Sequence, residues 1–156
     1  MQVKKSPLIL EEVFIIASNI ISVPETEEST SILNEFEIDV DFDVYSSESD
    51  ADSRRVVVSV SGNDPENPAP GYCFSIVAQG TFNYAKDAKI RKKDKDILLT
   101  HSAIPIVIGQ IRSYISTLTA LGPFGSYLLP SIDMNHLLEM KKNESQDQTM
   151  DKSLPE

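Results

Sequence analysis

Tryptophan is absent from this 156-residue chain, histidine occurs twice, and cysteine occurs once, as Cys73. A single thiol closes no intrachain disulfide, so the fold rests on packing without a covalent staple, which suits a reducing cytoplasm. The six glycines form neither a GxxxxGK nor a GxGxxG arrangement, the backbone cradles that hold phosphate, and no nucleotide or other cofactor is expected. His101 and His136 lie in different segments, away from Cys73 and from any acidic pair at ligand spacing, which leaves no zinc site. No GxSxG elbow presents a serine nucleophile, and Cys73 falls inside a strand pattern, not at a helix N-terminus that would lower its pKa. An enzyme is therefore not expected. No apolar run approaches the roughly 20 residues that span a bilayer. After Lys4 and Lys5 the apolar stretch is broken by Glu11 and Glu12, with no small-residue cleavage pattern, so a secretion signal is not expected and the cytoplasm is the expected location.

Bases are missing from one block of the chain. Residues 25–52 hold eleven of the 24 acids and no Lys or Arg, whereas the other 128 residues carry thirteen acids against fourteen bases. The formal charge of −10 is thus local, and its field disfavours nucleic acid and anionic membrane as partners for that block.

What is present reads as strands followed by helices. Residues 8–23 are rich in Ile, Val and Leu, lack Gly and Pro, and stop at Pro24, which predicts a first strand bent near Ala17 to Asn19. Phe36, Ile38, Val40, Phe42 and Val44 alternate with Glu37, Asp39, Asp41, Asp43 and Tyr45, the period of a strand with one buried face. After the polar turn SSESDAD, Val56, Val58 and Val60 continue the alternation and predict an antiparallel hairpin. The proline-rich loop GNDPENPAPG separates this hairpin from a fourth strand, Tyr72 to about Tyr84. The charged run KDAKIRKKDKD (86–96) predicts an exposed connection or a short solvated helix, and its interspersed acids and lack of aromatics argue against nucleic acid.

Ser102 as N-cap, Pro105 in the first turn, and Ile104, Ile108, Ile111, Ile115 and Leu118 at helical spacing predict a long helix ending at Gly122. Ile106 and Val107 are expected to point away from this stripe. With Ser113, Ser116, Thr117 and Ala120 they form a candidate oligomer interface whose small residues permit close approach. A short helix is expected from Ser131 or Asp133, using Met134, Leu137 and Leu138, followed by a disordered polar tail from 141 to 156. The expected architecture is α+β: one domain, residues 1–140, in which a long helix and a short second helix cover one face of a four-stranded antiparallel sheet.

In its C-terminal half the sequence is similar to the SecB family of export chaperones. The resemblance is carried by Gly80 and Phe82 ending a strand, Pro105 and Arg112 in a helix, Gly122 and Phe124 in the turn after it, and the Leu- and Pro-rich lead from Leu129 to Leu138. The chain departs from the family pattern at Gly109 and Gly125, where Pro is usual, and at Asp133 and Met134, where Asn-Phe is usual. The resemblance implies a homo-oligomer, a dimer of dimers. It also implies a holdase that binds unfolded polypeptides in apolar grooves and keeps them soluble by mass action, without nucleotide. Phe42, Phe82, Phe124, Tyr127, Leu128 and Met134 are the candidate client-binding residues, each at least as readily read as plain core packing.

The carboxylates Glu37, Asp39, Asp41 and Asp43 recur about 7 Å apart along a strand, too far to share a small cation. They are either a solvated face that blocks edge pairing or a docking face for a basic protein such as the translocase motor. Motor-binding members carry acids at positions occupied here by Ser18, Ser22 and Ser75, which leaves room for a chaperone dedicated to one client, for example an antitoxin, or for a non-chaperone interaction module.

Overall fold

In a computed structural model, which describes residues 2–26 and 32–151 and the side chains as far as residue 144, four strands form one antiparallel sheet. They are β1 (Leu8–Val23), β2 (Ile38–Ser46), β3 (Ser53–Gly62) and β4 (Gly71–Tyr84), in the order β1-β4-β3-β2. The expected hairpin is β2–β3, in register from Ile38 opposite Gly62 to Ser46 opposite Arg54. β4 pairs with β3 on one side and, along its whole length, with β1 on the other. The register of β1 slips between Leu10 and Glu12 and again between Ile15 and Ala17. Each slip is a one-residue bulge that sharpens local twist, and the second lies beside the predicted bend. The loop after β3 is closed by Asn63 in the left-handed region (φ 69°), whose amide exchanges two 2.8 Å hydrogen bonds with the backbone of Ala69.

Helix α1 (Lys92–Leu98) is the short solvated helix expected in the charged run. Lys95 fastens it to the sheet, 2.9 Å from Asp52 and 4.5 Å above the Tyr84 ring. A π-helical turn (Leu99–Ala103) leads directly into α2 (Ile104–Thr119), the Ile104 N–H bonding to the Leu99 carbonyl. Ser102 is therefore not an N-cap: the chain is already helical when α2 begins, and Ala103 stands at the cap position without a side-chain bond. Pro105, early in α2 as expected, has no N–H to give the preceding turn, and the wider π turn accommodates its ring.

Val56, Val58, Val60, Ile76, Ala78 and Phe82 of the sheet bury themselves against Ile104, Val107, Ile108, Ile111 and Ile115 of α2. This corrects two readings. Val107 belongs to the core, because a rotation of 100° per residue leaves it only about 60° from Ile104 around the helix. Leu118 is half exposed, and Thr119 is the buried residue at that end. Thr119 donates its hydroxyl to the Ile115 carbonyl at 2.7 Å and accepts the Tyr127 N–H at 2.8 Å, so its polar atom is satisfied.

Helix α3 runs over Met134–Asp151, past the point where a disordered tail was expected. Asp133 caps it, its carboxylate accepting the N–H groups of Asn135 (2.9 Å) and His136 (3.2 Å). Residues 152–156 of the expected tail lie outside the described residues.

Candidate functional site

Among the described residues β2 pairs only with β3, which makes it an edge strand. Along that edge runs a groove of about 600 Å³ bounded by β2, the neighbouring part of β3, the segment 130–133 and α3. Ile38, Val40, Ile132, Leu137 and Met140 give it apolar surface, while Asp39, Asp41, Asp133, His136, Lys141 and Glu144 put charged and polar groups beside Ser59, Ser61 and Ser131.

The wall between α2 and α3 is held from below. Arg112 of α2 donates from Nε to the Leu129 carbonyl and from Nη2 to the Pro130 carbonyl, both at 2.9 Å. Two bonds from one planar guanidinium fix position and direction together. Upstream, Tyr72 Oη donates to the Gly125 carbonyl at 2.8 Å, with the Thr119 carbonyl at 3.2 Å, and accepts the Phe124 N–H at 3.3 Å. Gly122 is required here because a Cβ would strike the Tyr72 hydroxyl. The Tyr127 ring stacks on Phe36 at 5.9 Å and tilts against Phe74 at 5.3 Å. Burial in this cluster pushes the Tyr127 phenol above its ordinary pKa.

None of the six candidate client-binding residues lines the groove. Phe82 is 0% exposed, and Phe42 and Tyr127 are buried with it in the core, because inward-facing aromatics of strand and loop are what the helices cover. Phe124 is half-buried, edge-on to Tyr72 with centroids 5.5 Å apart. Met134 is half-buried at the start of α3. Leu128, at 71% exposure, is the one that presents its side chain to solvent. Lys141 and Glu144 were missed because the sequence beyond Met140 is polar and gives no apolar period, whereas Leu137, Ile38 and Val40 were read only as core positions.

The acidic strand is partly neutralised from within. Asp39, Asp41 and Asp43 are exposed on β2, with Glu37 exposed just before it. Lys141 of α3, however, places its Nζ 2.7 Å from Asp41 Oδ1 and 3.4 Å from Asp43 Oδ1, and 5.7 Å from the centre of the Phe42 ring. The hydrogen bond to Asp41 raises the Lys141 pKa above its ordinary value.

On α2, Ile106 is 42% exposed and Ser113 and Thr117 face solvent, as does Ala120 at its C-cap. Ser116 is committed within the chain, its hydroxyl 2.8 Å from that of Ser126. Ser18, Ser22 and Ser75 are all exposed, and Ser18 hydrogen-bonds with the Tyr114 hydroxyl at 2.8 Å. Among the described residues no group of His, Cys, Asp and Glu is arranged to hold a metal ion. No described helix is long and apolar enough to cross a membrane.

No family model matches the sequence, and no curated protein matches it. Solved structures do. The chain superposes on the SecB-like chaperone Rv1957 of Mycobacterium tuberculosis, solved in complex with a ChAD peptide from the HigA1 antitoxin. The TM-score is 0.58 and the identity 9%, over 81% of this chain and 88% of that one. A protein of unknown function from Streptococcus agalactiae aligns at a TM-score of 0.42 and 10% identity, over 80% and 97% of the two chains. With its four antiparallel strands, long helix and second helix, the chain has the fold of a SecB-like chaperone.

Proposed function

We propose that this chain is a nucleotide-independent holdase that binds non-native polypeptide in the groove along β2 and keeps it soluble. The observation that carries the reading is the partly apolar groove on the edge of a SecB-like sheet. A strand edge offers an extended peptide main-chain partners, and the neighbouring apolar positions take its alternate side chains. Such binding needs no catalytic group and no cofactor.

A dedicated client is favoured over delivery to a translocase motor. Ser18, Ser22 and Ser75 offer no charge to a basic docking element, and Lys141 engages two of the carboxylates in the acidic strand that would have to replace them. The fold neighbour's antitoxin peptide supports a polypeptide as the ligand type. The working unit is a cytoplasmic homo-oligomer, a dimer of dimers. It is supported by the exposed apolar side chains of the second sheet edge, β1 (Ile9, Phe14, Ile16 and Ile21), and by Ile106 and the 99% exposed Leu121.

Light scattering by a chemically unfolded protein, diluted into buffer with and without the chain, tests the activity. Suppression at stoichiometric amounts is expected, with loss in Val40→Asp, which puts a charge in the groove. Aggregation unaffected by the native chain refutes the proposal. The native mass measured on the same sample reads the oligomer.

A further inference from the structure

The groove is crossed by a bridge made from the chain's own residues. Asp41 and Lys141 line its two opposite walls, and the 2.7 Å contact between them spans the space between β2 and α3. A peptide lying along the edge of β2 would occupy the path of that lysine side chain.

Two observations make the bridge a movable part. Leu137 is the last buried residue of α3 among those whose side chains are described, Leu138 beside it is partly buried against the core, and the sequence beyond is dominated by polar residues. The distal part of the helix is therefore tied to the sheet by charge more than by apolar burial. The pair is also partly wet, with the Asp41 and Asp43 side chains more than half exposed and that of Lys141 about a quarter. An ion pair in that setting is weak and screened by salt.

We infer that Lys141 is a latch: its bridge to Asp41 and Asp43 holds α3 closed along the edge of β2, and polypeptide enters the groove when the bridge opens. The inference rests on the polypeptide-binding reading of that groove and adds its regulation. Access then rises with ionic strength, and any change that removes the lysine charge leaves the groove open.

Hydrogen exchange and peptide binding, measured on the full chain at 50 and 500 mM NaCl, test it. The probe is a fluorescently labelled Leu- and Phe-rich peptide without charged side chains, so that altered protein charge does not act on the ligand. In Lys141→Met, which keeps an apolar stem, amides of residues 38–46 and 134–144 are expected to exchange about two- to fivefold faster than in the parent at low salt. The peptide is expected to bind tighter by the same factor, and both differences shrink at high salt. Asp41→Asn with Asp43→Asn should reproduce the effect from the other wall. Unchanged exchange in both variants overturns the latch, as does faster exchange with weaker peptide binding, which would make the closed helix part of the site. Equal peptide binding by all three chains leaves the polypeptide reading standing and removes the latch. Binding by none of them removes the reading and the latch together.

Discussion

Gly80 lies where α2 comes close to β4. A Cβ built there stands 2.7 Å from Cε2 of Phe82 and 2.8 Å from Cγ2 of Val107, inside the 3.0 Å that real Cβ contacts essentially never breach. Both neighbours are wholly buried, so neither swings away into solvent. Gly80→Ala therefore sets two effects of opposite sign against each other. Removing a glycine restricts the unfolded chain and favours folding by about 0.4–1 kcal/mol where the backbone conformation is acceptable, and Gly80 is not among the residues with positive φ. Forcing a methyl into a filled core costs about 1–3 kcal/mol. Overpacking should win, with a net loss of about 1–2 kcal/mol read as a lower urea midpoint at unchanged slope and fixed protein concentration. Val107→Ala removes one of the two obstructing groups. The double variant should therefore be more stable than the summed single losses, with a coupling of at least about 0.5 kcal/mol. A Gly80→Ala chain as stable as the parent, or strict additivity with Val107→Ala, would refute the close helix–sheet approach.

Three further outcomes are expected. Tyr72→Phe removes the hydroxyl shared by Thr119, Phe124 and Gly125 and should cost about 1–3 kcal/mol in urea unfolding, since it strands buried backbone groups. Arg112→Met releases the carbonyls of Leu129 and Pro130; polypeptide binding should weaken while far-ultraviolet circular dichroism stays native, and unchanged affinity would show that the 129–133 wall needs no anchor. The Lys95 hydrogen bond holds the Asp52 carboxyl below its ordinary pKa of 3.8. Because the folded value is the lower one, the stabilisation is complete above about pH 4 and fades as pH falls through the folded pKa. Asp52→Asn should flatten that part of an acid unfolding profile, and an identical profile would contradict the pairing.

The sheet was legible because its signals are local and redundant. Val40 and Phe42 alternate with aspartates, Val56, Val58 and Val60 alternate with Val57, Ser59 and Ser61, Pro24 and the proline-rich loop mark the ends, and the observed strands begin and end within two residues of those signals. Helix α2 was legible as an element, but its rotation was less so. A stripe drawn through Ile108 and Leu118 leaves out Val107, and only the width of the sheet beneath decides that a 60° offset is still covered. The extent of α3 was missed because its polar composition was read as disorder, although Glu, Lys, Gln and Met are good helix formers. The site suffered from this, since Lys141 and Glu144 of its wall lie in the stretch taken for a tail. Apolar identity also says nothing about exposure: Phe82 and Leu128 were both candidates by sequence, yet one is sealed in the core and the other stands in solvent.

The pairing of β1 with β4 has a consequence for how the chain is made. Leu8 faces Tyr84 and Val23 faces Gly71, so the first strand to be synthesised waits for a partner 48 to 76 residues downstream. At about 5–20 residues per second on the ribosome, that is roughly 2–15 s during which sixteen residues rich in Ile and Val have no ladder to join. β2, β3 and β4 meanwhile close as a meander of near neighbours. Two features make the wait tolerable: Glu11 and Glu12 break the apolar run at one end, and Ser18, Asn19 and Ser22 dilute it at the other. Late docking of β1 then completes the sheet, so the rate of productive folding should answer to mutations in β1 far less than the tendency of the nascent chain to aggregate does.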